Sequence, residues 1–413
     1  MSRSAGTWPY LYREVIMKIE HPTPINWQFA KRAEQLQSSV IREILKITMR
    51  PDIISFAGGL PSPETFPVEH MKAAFDNVLS RQGKIALQYG PSDGYAPLRE
   101  WIADSLSIEG ATITPDQVLM VSGSQQALDL LGKVLIEENS KVLVETPSYL
   151  GALQAFSVYQ PQFVSVPTDD YGLLPEAVDG IADGARLLYA LPNFHNPTGR
   201  TMSVERRIAL VETCARRGLP LIEDDPYGAL SYRAEPLPKM LTMNPSGVIY
   251  MGSFSKVLTP GIRLGYVVGP TPLIRKLEQA KQAADLHTSQ LTQMVVYEAI
   301  KDGFLAEHIP SIRTLYANQC QVMLDALAEF APEGVKWNKP EGGMFIWVTL
   351  PKHIDCMQLL EEAIAQKVAF VPGAPFYANE PEKNTLRLSF VTVPPEKIRE
   401  GVSKLAKLIA AKI

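Results

Sequence analysis

The chain of 413 residues holds only three cysteines, Cys214, Cys320 and Cys356, and their spacing matches no metal-binding or disulfide pattern. An odd and sparse count is typical of a reducing compartment, so we expect small buried apolar residues in a cytoplasmic protein. The six histidines are scattered, and no pair has the spacing of a metal site. The sequence therefore predicts neither a disulfide framework nor a metal centre.

Long apolar runs and an excess of one charge are also missing. No stretch approaches the about 18 apolar residues that a membrane helix requires. The formal net charge of −4 gives no indication of a nucleic-acid or membrane partner. The N-terminus has no apolar segment followed by a small-residue cleavage site, so it does not match a secretory signal. Residues 1–26 are poorly patterned, and we interpret residues 1–35 as an N-terminal arm.

The remaining sequence alternates between strand-like and helix-like stretches, which is typical of an α/β fold with a mostly parallel sheet between helices. Strand-like runs lie at 118–121, 141–145, 186–191, 219–223, 247–252 and 264–268. A long helical stretch is predicted from 271 to 316, followed by strands at 343–350, 368–371 and 386–391 and a helix at 398–413. We predict a large domain of residues 66–316 and a smaller α+β domain that combines 36–65 with 317–413.

Lys256 lies among small hydroxyl residues in the run 253–265. A lysine that forms a Schiff base must lose its proton, and burial or a nearby cation favours that loss. The hydroxyls of Ser253 and Ser255, with Arg263, also suit a phosphate. The run therefore offers an amine for an aldehyde and a clamp for a phosphoester, which pyridoxal phosphate requires. Taken alone, it is equally typical of a surface lysine in a serine-rich turn.

Two polar sets follow strand-like runs, where open α/β sheets place their ligand sites. Asp224 and Tyr227 follow the run 219–222, and Asn196 follows the run 187–191. An Asp can pair with a pyridine nitrogen, while an Asn and a Tyr can hydrogen-bond a ring oxygen. Taken alone, the first set is also typical of a helix start and the second of an ordinary turn.

A candidate phosphate site lies upstream, where residues 122–126 read Ser-Gly-Ser-Gln-Gln between a strand-like run and a helix-period run. Backbone N–H groups at a helix N-terminus bind anions. Gly123 suits the turn, and Ser124 and Gln125 can add side-chain hydrogen bonds. The same serines would also serve as a plain helix cap.

Together these motifs resemble fold-type I pyridoxal-phosphate enzymes, specifically class I aminotransferases of the 2-aminoadipate and kynurenine/aminoadipate group. The resemblance extends from about Trp27 to the C-terminus, and the order and spacing of the motifs match as well as their residues. The strings that carry it are Ile-Ser-Phe-Ala-Gly-Gly-Leu-Pro at 54–61, Leu-Gln-Tyr-Gly at 87–90, Gly-Ser-Gln-Gln-Ala-Leu-Asp-Leu at 123–130, Asn-Pro-Thr-Gly at 196–199, Gly-Ser-Phe-Ser-Lys at 252–256, Gly-Gly-Met-Phe at 342–345 and Asn-Thr-Leu-Arg-Leu-Ser at 384–389.

The resemblance implies a role for each residue that would contact the cofactor ring. Lys256 would carry the aldimine and then move the proton between the substrate Cα and the cofactor. Asp224 would pair with the ring nitrogen, and Asn196 and Tyr227 would bond the ring oxygen. Tyr149 would stack on the ring, although an isolated tyrosine is also typical of a buried core.

The resemblance also implies a phosphate site, a substrate site and a homodimer with shared active sites. The phosphate would be held by Gly123, Ser124, Gln125, Ser253, Ser255 and Arg263, with Tyr89 reaching in from a partner subunit. Arg387 would bind the substrate α-carboxylate as a bidentate fork, next to Asn196 and Gly59. By itself, Arg387 is also typical of a surface residue on a strand edge.

Substrate choice would depend on an N-terminal segment that closes over the site in aminoadipate-type members. The position of its specificity arginine matches Arg42, and Ser39 lies about one helical turn before it. An arginine on an amphipathic helix usually faces solvent, so the structural alternative stays open. Acidic, branched and aromatic donors are all compatible with the sequence.

The predicted reaction is ping-pong transamination with 2-oxoglutarate as the acceptor. A pyridoxal-phosphate lyase or decarboxylase is an alternative, because the same scaffold supports several chemistries. A regulator with an aminotransferase-like domain fused to a winged helix is a second alternative. The 26 residues before the resemblance are fewer than a DNA-binding domain needs, and no basic recognition helix is visible. We therefore expect an enzyme.

Overall fold

The computed structural model describes residues 25–34, 50–232 and 236–413. The chain separates into two units, residues 1–36 and residues 37–413. In the first unit, the described residues form one short helix, α1 (Lys31–Glu34), which contains no buried side chain. The predicted arm falls largely outside the described residues, and its boundary stays a prediction.

The second unit contains a seven-stranded sheet. Its strands in spatial order are β2 (Val118–Val121), β10 (Gly265–Val268), β9 (Val248–Ser253), β8 (Leu221–Asp224), β7 (Ala185–Ala190), β3 (Lys141–Glu145) and β4 (Gln162–Val166). The five strands from β9 to β4 are parallel, and β10 runs antiparallel to both of its neighbours. The prediction of an α/β fold with a mostly parallel sheet is therefore confirmed.

Helices cover both faces of this sheet because the strands are apolar on both sides. On β3, Val142 and Val144 pack into one core while Leu143 packs into the other, as the two-residue period of a strand requires. The helices in this part of the chain are α2 (Val68–Ala86), α3 (Ala96–Leu106), α4 (Ser124–Leu135), α5 (Leu150–Ser157), α6 (Pro175–Ile181), α7 (Val204–Arg216), α8 (Met240–Met243), α9 (Thr271–Gln282) and α10 (Gln290–Ile300).

A four-stranded antiparallel sheet forms the core of the C-terminal part. Its strands in spatial order are β11 (Lys336–Trp337), β12 (Phe345–Thr349), β15 (Thr385–Ser389) and β14 (Val371–Pro372). Next to it, β1 (Ile54–Ser55) pairs in parallel with β13 (Val368–Ala369), which brings the segment near residue 54 to the C-terminal part. A small hairpin is formed by β5 (Thr168–Asp169) and β6 (Gly172–Leu173). The remaining helices are α11 (Phe304–Phe330), α12 (Cys356–Ala365) and α13 (Pro395–Ala410).

The prediction of one helical stretch from 271 to 316 is wrong, because three helices occupy this region and the last one continues to Phe330. Helix α10 begins after Ser289, whose side chain accepts a hydrogen bond from the N–H of Thr292. Helix α11 begins after Gly303, which has a φ of +88°. Ser289 is a typical N-cap, and Gly303 adopts a left-handed conformation that glycine tolerates, so both breaks have local causes.

The predicted burial of the cysteines is confirmed, since none of the three is more than 3% exposed. Within the described part of the chain, no helix combines the length and apolar character needed to cross a membrane. The division into a large domain of residues 66–316 and a small domain of 36–65 with 317–413 stays a prediction.

Candidate active site

The candidate site lies at the carboxyl edge of the seven-stranded sheet. Asn196, Asp224 and Lys256 occur at or just after the ends of β7, β8 and β9, and Tyr149 follows β3. Parallel strands end at one edge, so these four residues line one cavity of about 400 Å³. Arg387, from the four-stranded sheet, lines the same cavity.

Lys256 presents its amine to this cavity. Its Nζ donates a hydrogen bond of 2.7 Å to the carbonyl oxygen of Gly59. Burial, followed by the positive charges of Arg387 and Arg263, lowers the pKa of Lys256 to about 8. A substantial fraction of this amine is therefore neutral near physiological pH, which is the form that attacks an aldehyde.

Asp224 is the last residue of β8, and it is only 2% exposed. Its Oδ2 accepts a hydrogen bond of 2.6 Å from the hydroxyl of Tyr189, while its Oδ1 has no hydrogen-bond partner among the described residues. Burial raises the pKa of Asp224 to about 7; the bond from Tyr189 lowers it and the charge of Asp225 raises it. A buried oxygen without a partner is costly, and a protonated ring nitrogen is a suitable donor for it.

Arg387 and Asn196 form one buried unit across the two sheets. Arg387 lies on β15, an interior strand, and is 2% exposed, so the alternative of a surface strand edge is wrong. Its Nη1 donates to Asn196 Oδ1 at 2.7 Å and its Nη2 to the Ala57 carbonyl at 2.9 Å. Its Cζ lies 4.3 Å from the ring centroid of Phe345, and its Nε has no hydrogen-bond partner within 25–34, 50–232 and 236–413. The planar guanidinium is thus fixed, and its free donor suits a carboxylate.

The turn before α4 has the geometry of an anion site. Gly123 has a φ of +86°, and a Cβ built on it would lie 2.5 Å from Arg263 Nη2, so only glycine fits. Ser124 begins α4, whose first N–H groups have no partner within the helix. Ser253 and Ser255 line the cavity near this turn. A helix N-terminus, hydroxyls and an arginine together fit a phosphate.

Two tyrosines complete the polar part of the lining. Tyr149 precedes α5, and its pKa is raised to about 12 by burial and by the charge of Asp224, against the opposing effect of Arg387. Tyr227 is 4% exposed, and its hydroxyl accepts a hydrogen bond of 3.5 Å from Asn196 Nδ2. Both hydroxyls therefore stay protonated near neutral pH and can donate hydrogen bonds.

Two of the predicted residues that the structure describes, Tyr89 and Gly123, do not line this cavity. Tyr89 is 79% exposed and lies outside the lining, with its ring edge-on to His287 at 5.7 Å. Arg42 and Ser39 lie outside the described residues. Their predicted roles stay predictions.

The sequence reasoning missed Tyr189 and most of the apolar lining. Tyr189 is fully buried, and it is the donor to Asp224. The run 187–191 that contains it was visible in the sequence, but its register against β8 was not. Tyr189 lies behind Asp224 and does not line the cavity; the lining residues without a predicted role are Leu60, Leu150, Gly151, Gln154, Leu191, Pro226, Pro260 and Phe376.

Comparison with known proteins decides the family. Residues 51–405 match the model for aminotransferases of classes I and II. The chain belongs to this family. It is 44% identical over 394 residues to a 2-aminoadipate transaminase of Thermus thermophilus, with 94% of this chain and 98% of the relative covered. It is also 44% identical over 406 residues to aromatic-amino-acid aminotransferase 1 of Thermococcus litoralis, with 95% and 96% covered.

A solved structure agrees with this assignment. The α-aminoadipate aminotransferase of Thermus thermophilus, in complex with N-(5′-phosphopyridoxyl)-L-leucine, is 43% identical and has a TM-score of 0.87. The match covers 93% of this chain and 98% of the other. The aminotransferase therefore has the fold of type I pyridoxal-phosphate enzymes, and its cofactor is pyridoxal 5′-phosphate. The predicted resemblance, enzyme class and cofactor are confirmed.

Proposed function

We propose that this aminotransferase moves the amino group of an L-amino acid to 2-oxoglutarate in a ping-pong order. The observation that carries the proposal is the convergence of Lys256, Asp224 and Arg387 on one cavity. When bound, the cofactor supplies an aldehyde that condenses with amines and a ring that accepts the electrons left by Cα deprotonation. The protein binds the cofactor, orients the substrate and exchanges protons next to the ring.

Lys256 is proposed as the amine that holds the cofactor aldehyde and, once released, as the base at the substrate Cα. Its lowered pKa favours both roles, since each requires the neutral amine. Asp224 is proposed to keep the ring nitrogen protonated through its unpartnered Oδ1. Asn196 and Tyr227, which are hydrogen-bonded to each other, are proposed to bind the ring oxygen, and Tyr149 to stack on the ring.

Arg387 is proposed to fix the substrate α-carboxylate. Its guanidinium is fixed by Asn196, Ala57 and the ring of Phe345, so a bound carboxylate would have one defined orientation. This orientation would place the Cα–H bond perpendicular to the ring, which favours proton loss over loss of the carboxylate. Gly59, whose carbonyl oxygen accepts the hydrogen bond from Lys256, is proposed to lie beside the bound substrate.

The phosphate is proposed to lie at the start of α4, held by Gly123, Ser124, Gln125, Ser253, Ser255 and Arg263. Tyr89 is exposed within one chain, and we propose that it completes the phosphate site of a partner subunit in a homodimer. The cytoplasmic location expected from the cysteines stays a prediction.

The relatives support a donor with an acidic, apolar or aromatic side chain. Two of them are named for 2-aminoadipate and for aromatic amino acids. The cavity lining includes Leu60, Leu150 and Gln154, which would accommodate an apolar or weakly polar side chain. We propose 2-aminoadipate, leucine-like and aromatic L-amino acids as donors, with Arg42 pairing with a distal carboxylate.

The test is a half-reaction followed by absorbance. The holoenzyme is mixed with 2-aminoadipate, leucine or phenylalanine without an acceptor, and 2-oxoglutarate is added afterwards. We expect the aldehyde form of the cofactor to convert to the amine form with release of one 2-oxo acid, and 2-oxoglutarate to restore it. Release of ammonia would instead indicate a lyase, and release of CO₂ a decarboxylase.

A further inference from the structure

Four residues outside the cavity lining form a polar cluster next to the turn before α4, where the phosphate is proposed to bind. Ser122 and Gln126 flank the triplet 123–125, Lys281 is in the last turn of α9, and Asp285 follows that helix. None of the four lines the cavity. We call these residues the Lys281 cluster.

Hydrogen bonds join every member of the cluster. Lys281 Nζ donates to both carboxylate oxygens of Asp285 at 2.7 and 2.8 Å and to Gln126 Oε1 at 2.9 Å. Gln126 Nε2 donates to Asp285 Oδ2 at 2.7 Å. The hydroxyl of Ser122 donates to the same oxygen at 3.2 Å, and its backbone N–H donates to Gln126 Oε1 at 2.8 Å. The two residues that flank the triplet are thus bonded to each other and to one ion pair.

The burial of Lys281 distinguishes the cluster from a surface ion pair. The side chain of Lys281 is 0% exposed, and that of Asp285 is 30% exposed. A buried ammonium must keep its partners, since an unpaired buried charge is costly. Gln126 has both ends of its amide bonded to charged groups, so its orientation is fixed, and the turn that it closes is fixed with it.

We propose that the Lys281 cluster is a positioning device for the cofactor phosphate. It holds the backbone of residues 122–126 so that the N–H groups at the start of α4 meet the phosphate in a defined geometry. Lys281 itself does not touch the cofactor. The proposal depends on the placement of the phosphate at this turn.

The test compares two ligands that differ only in the phosphate. Apoenzyme is prepared from the holoenzyme, and the dissociation constants of pyridoxal 5′-phosphate and of pyridoxal are measured by absorbance. For Lys281→Met we expect the affinity for the phosphorylated ligand to fall about tenfold, which corresponds to about 1.4 kcal/mol. The affinity for pyridoxal should change by less than about twofold, because pyridoxal does not contact the turn.

The chain offers a matched control on α4, the helix that follows this turn. Lys133 and Asp129 form an exposed i,i+4 ion pair of 3.5 Å on α4. Lys133→Met removes the same charge and should leave both dissociation constants unchanged. Gln126→Leu is the second cluster variant, because it breaks the link to the turn and removes no charge. It should reproduce the selective loss even if Lys281→Met does not fold.

Two results would overturn the proposal. If folded Lys281→Met or Gln126→Leu bound both ligands as the parent does, the cluster would have no effect on the phosphate. If the affinities for the two ligands fell equally, the cluster would only stabilise the fold in general. Ser124→Ala tests the placement of the phosphate separately, since an unchanged ratio of the two affinities there would refute that placement rather than the function of the enzyme.

Discussion

Replacing Tyr189 by Phe should weaken catalysis by changing the charge of Asp224. The hydroxyl of Tyr189 is the only hydrogen-bond donor to the Asp224 carboxylate found among the described residues, and both residues are at most 2% exposed. A hydrogen bond to a charged group contributes about 1.5–3 kcal/mol. Its loss should therefore raise the pKa of Asp224 by about 1–2 units. The ring of Tyr189 remains to pack against Phe156, so the fold should be retained.

The sign of the pH effect follows from the raised pKa. In the cofactor-free chain burial already raises the pKa of Asp224 to about 7, so the carboxylate loses its charge as the pH falls through that value. Without the Tyr189 hydroxyl this loss occurs at a higher pH. A protonated ring nitrogen beside Oδ1 would lower the pKa of Asp224 in the parent and in the variant alike, so the difference between the two remains. The half-reaction of Tyr189→Phe should be up to about 10- to 100-fold slower at low pH and should approach the parent rate at high pH.

The assay is single-turnover absorbance with a fixed amino acid between about pH 6 and pH 9. Tyr250→Phe is the matched control, since its buried hydroxyl donates to the neighbouring carboxylate, Asp225, at 3.0 Å. Asp225 does not line the cavity. The control should lose stability but keep the pH dependence of the rate. An equal loss at every pH in Tyr189→Phe, or the same profile in both variants, would refute the reasoning.

Four further changes test other parts of the site. Lys256→Ala should abolish turnover while the cofactor still binds noncovalently, as measured by dialysis and absorbance; near-normal turnover would exclude Lys256 from the mechanism. Arg387→Lys should lower kcat/KM about 100-fold because a point charge replaces a planar fork, and amines without a carboxylate should show no comparable loss. Gly123→Ala should weaken cofactor binding about tenfold, since the methyl group would clash with Arg263 and the φ of +86° is strained for alanine; equal affinity would contradict this. Arg42→Ala should lose more kcat/KM with 2-aminoadipate than with leucine, and equal losses would exclude a specificity role.

Much of this molecule was predictable because its strands and turns carry local signals. The buried strands of the seven-stranded sheet are apolar on both faces, so β2, β3, β7, β8 and β9 appear as short apolar runs. The polar residues that follow them mark the edge where ligands bind. The break of the predicted helix at Gly303 also had a local signal, but helix-period residues on both sides concealed it.

The sequence by itself determined the family, the α/β fold and the order of the motifs, because these depend on short-range patterns and on their spacing. The tertiary structure decided which groups meet. Tyr189 donates to Asp224 only because β7 pairs with β8 in a register that places Tyr189 opposite Ile222. Arg387 becomes buried only because β15 is an interior strand that faces Asn196, 191 residues away in the chain. Strand register and long-range contacts depend on packing of the whole fold, which no local pattern encodes.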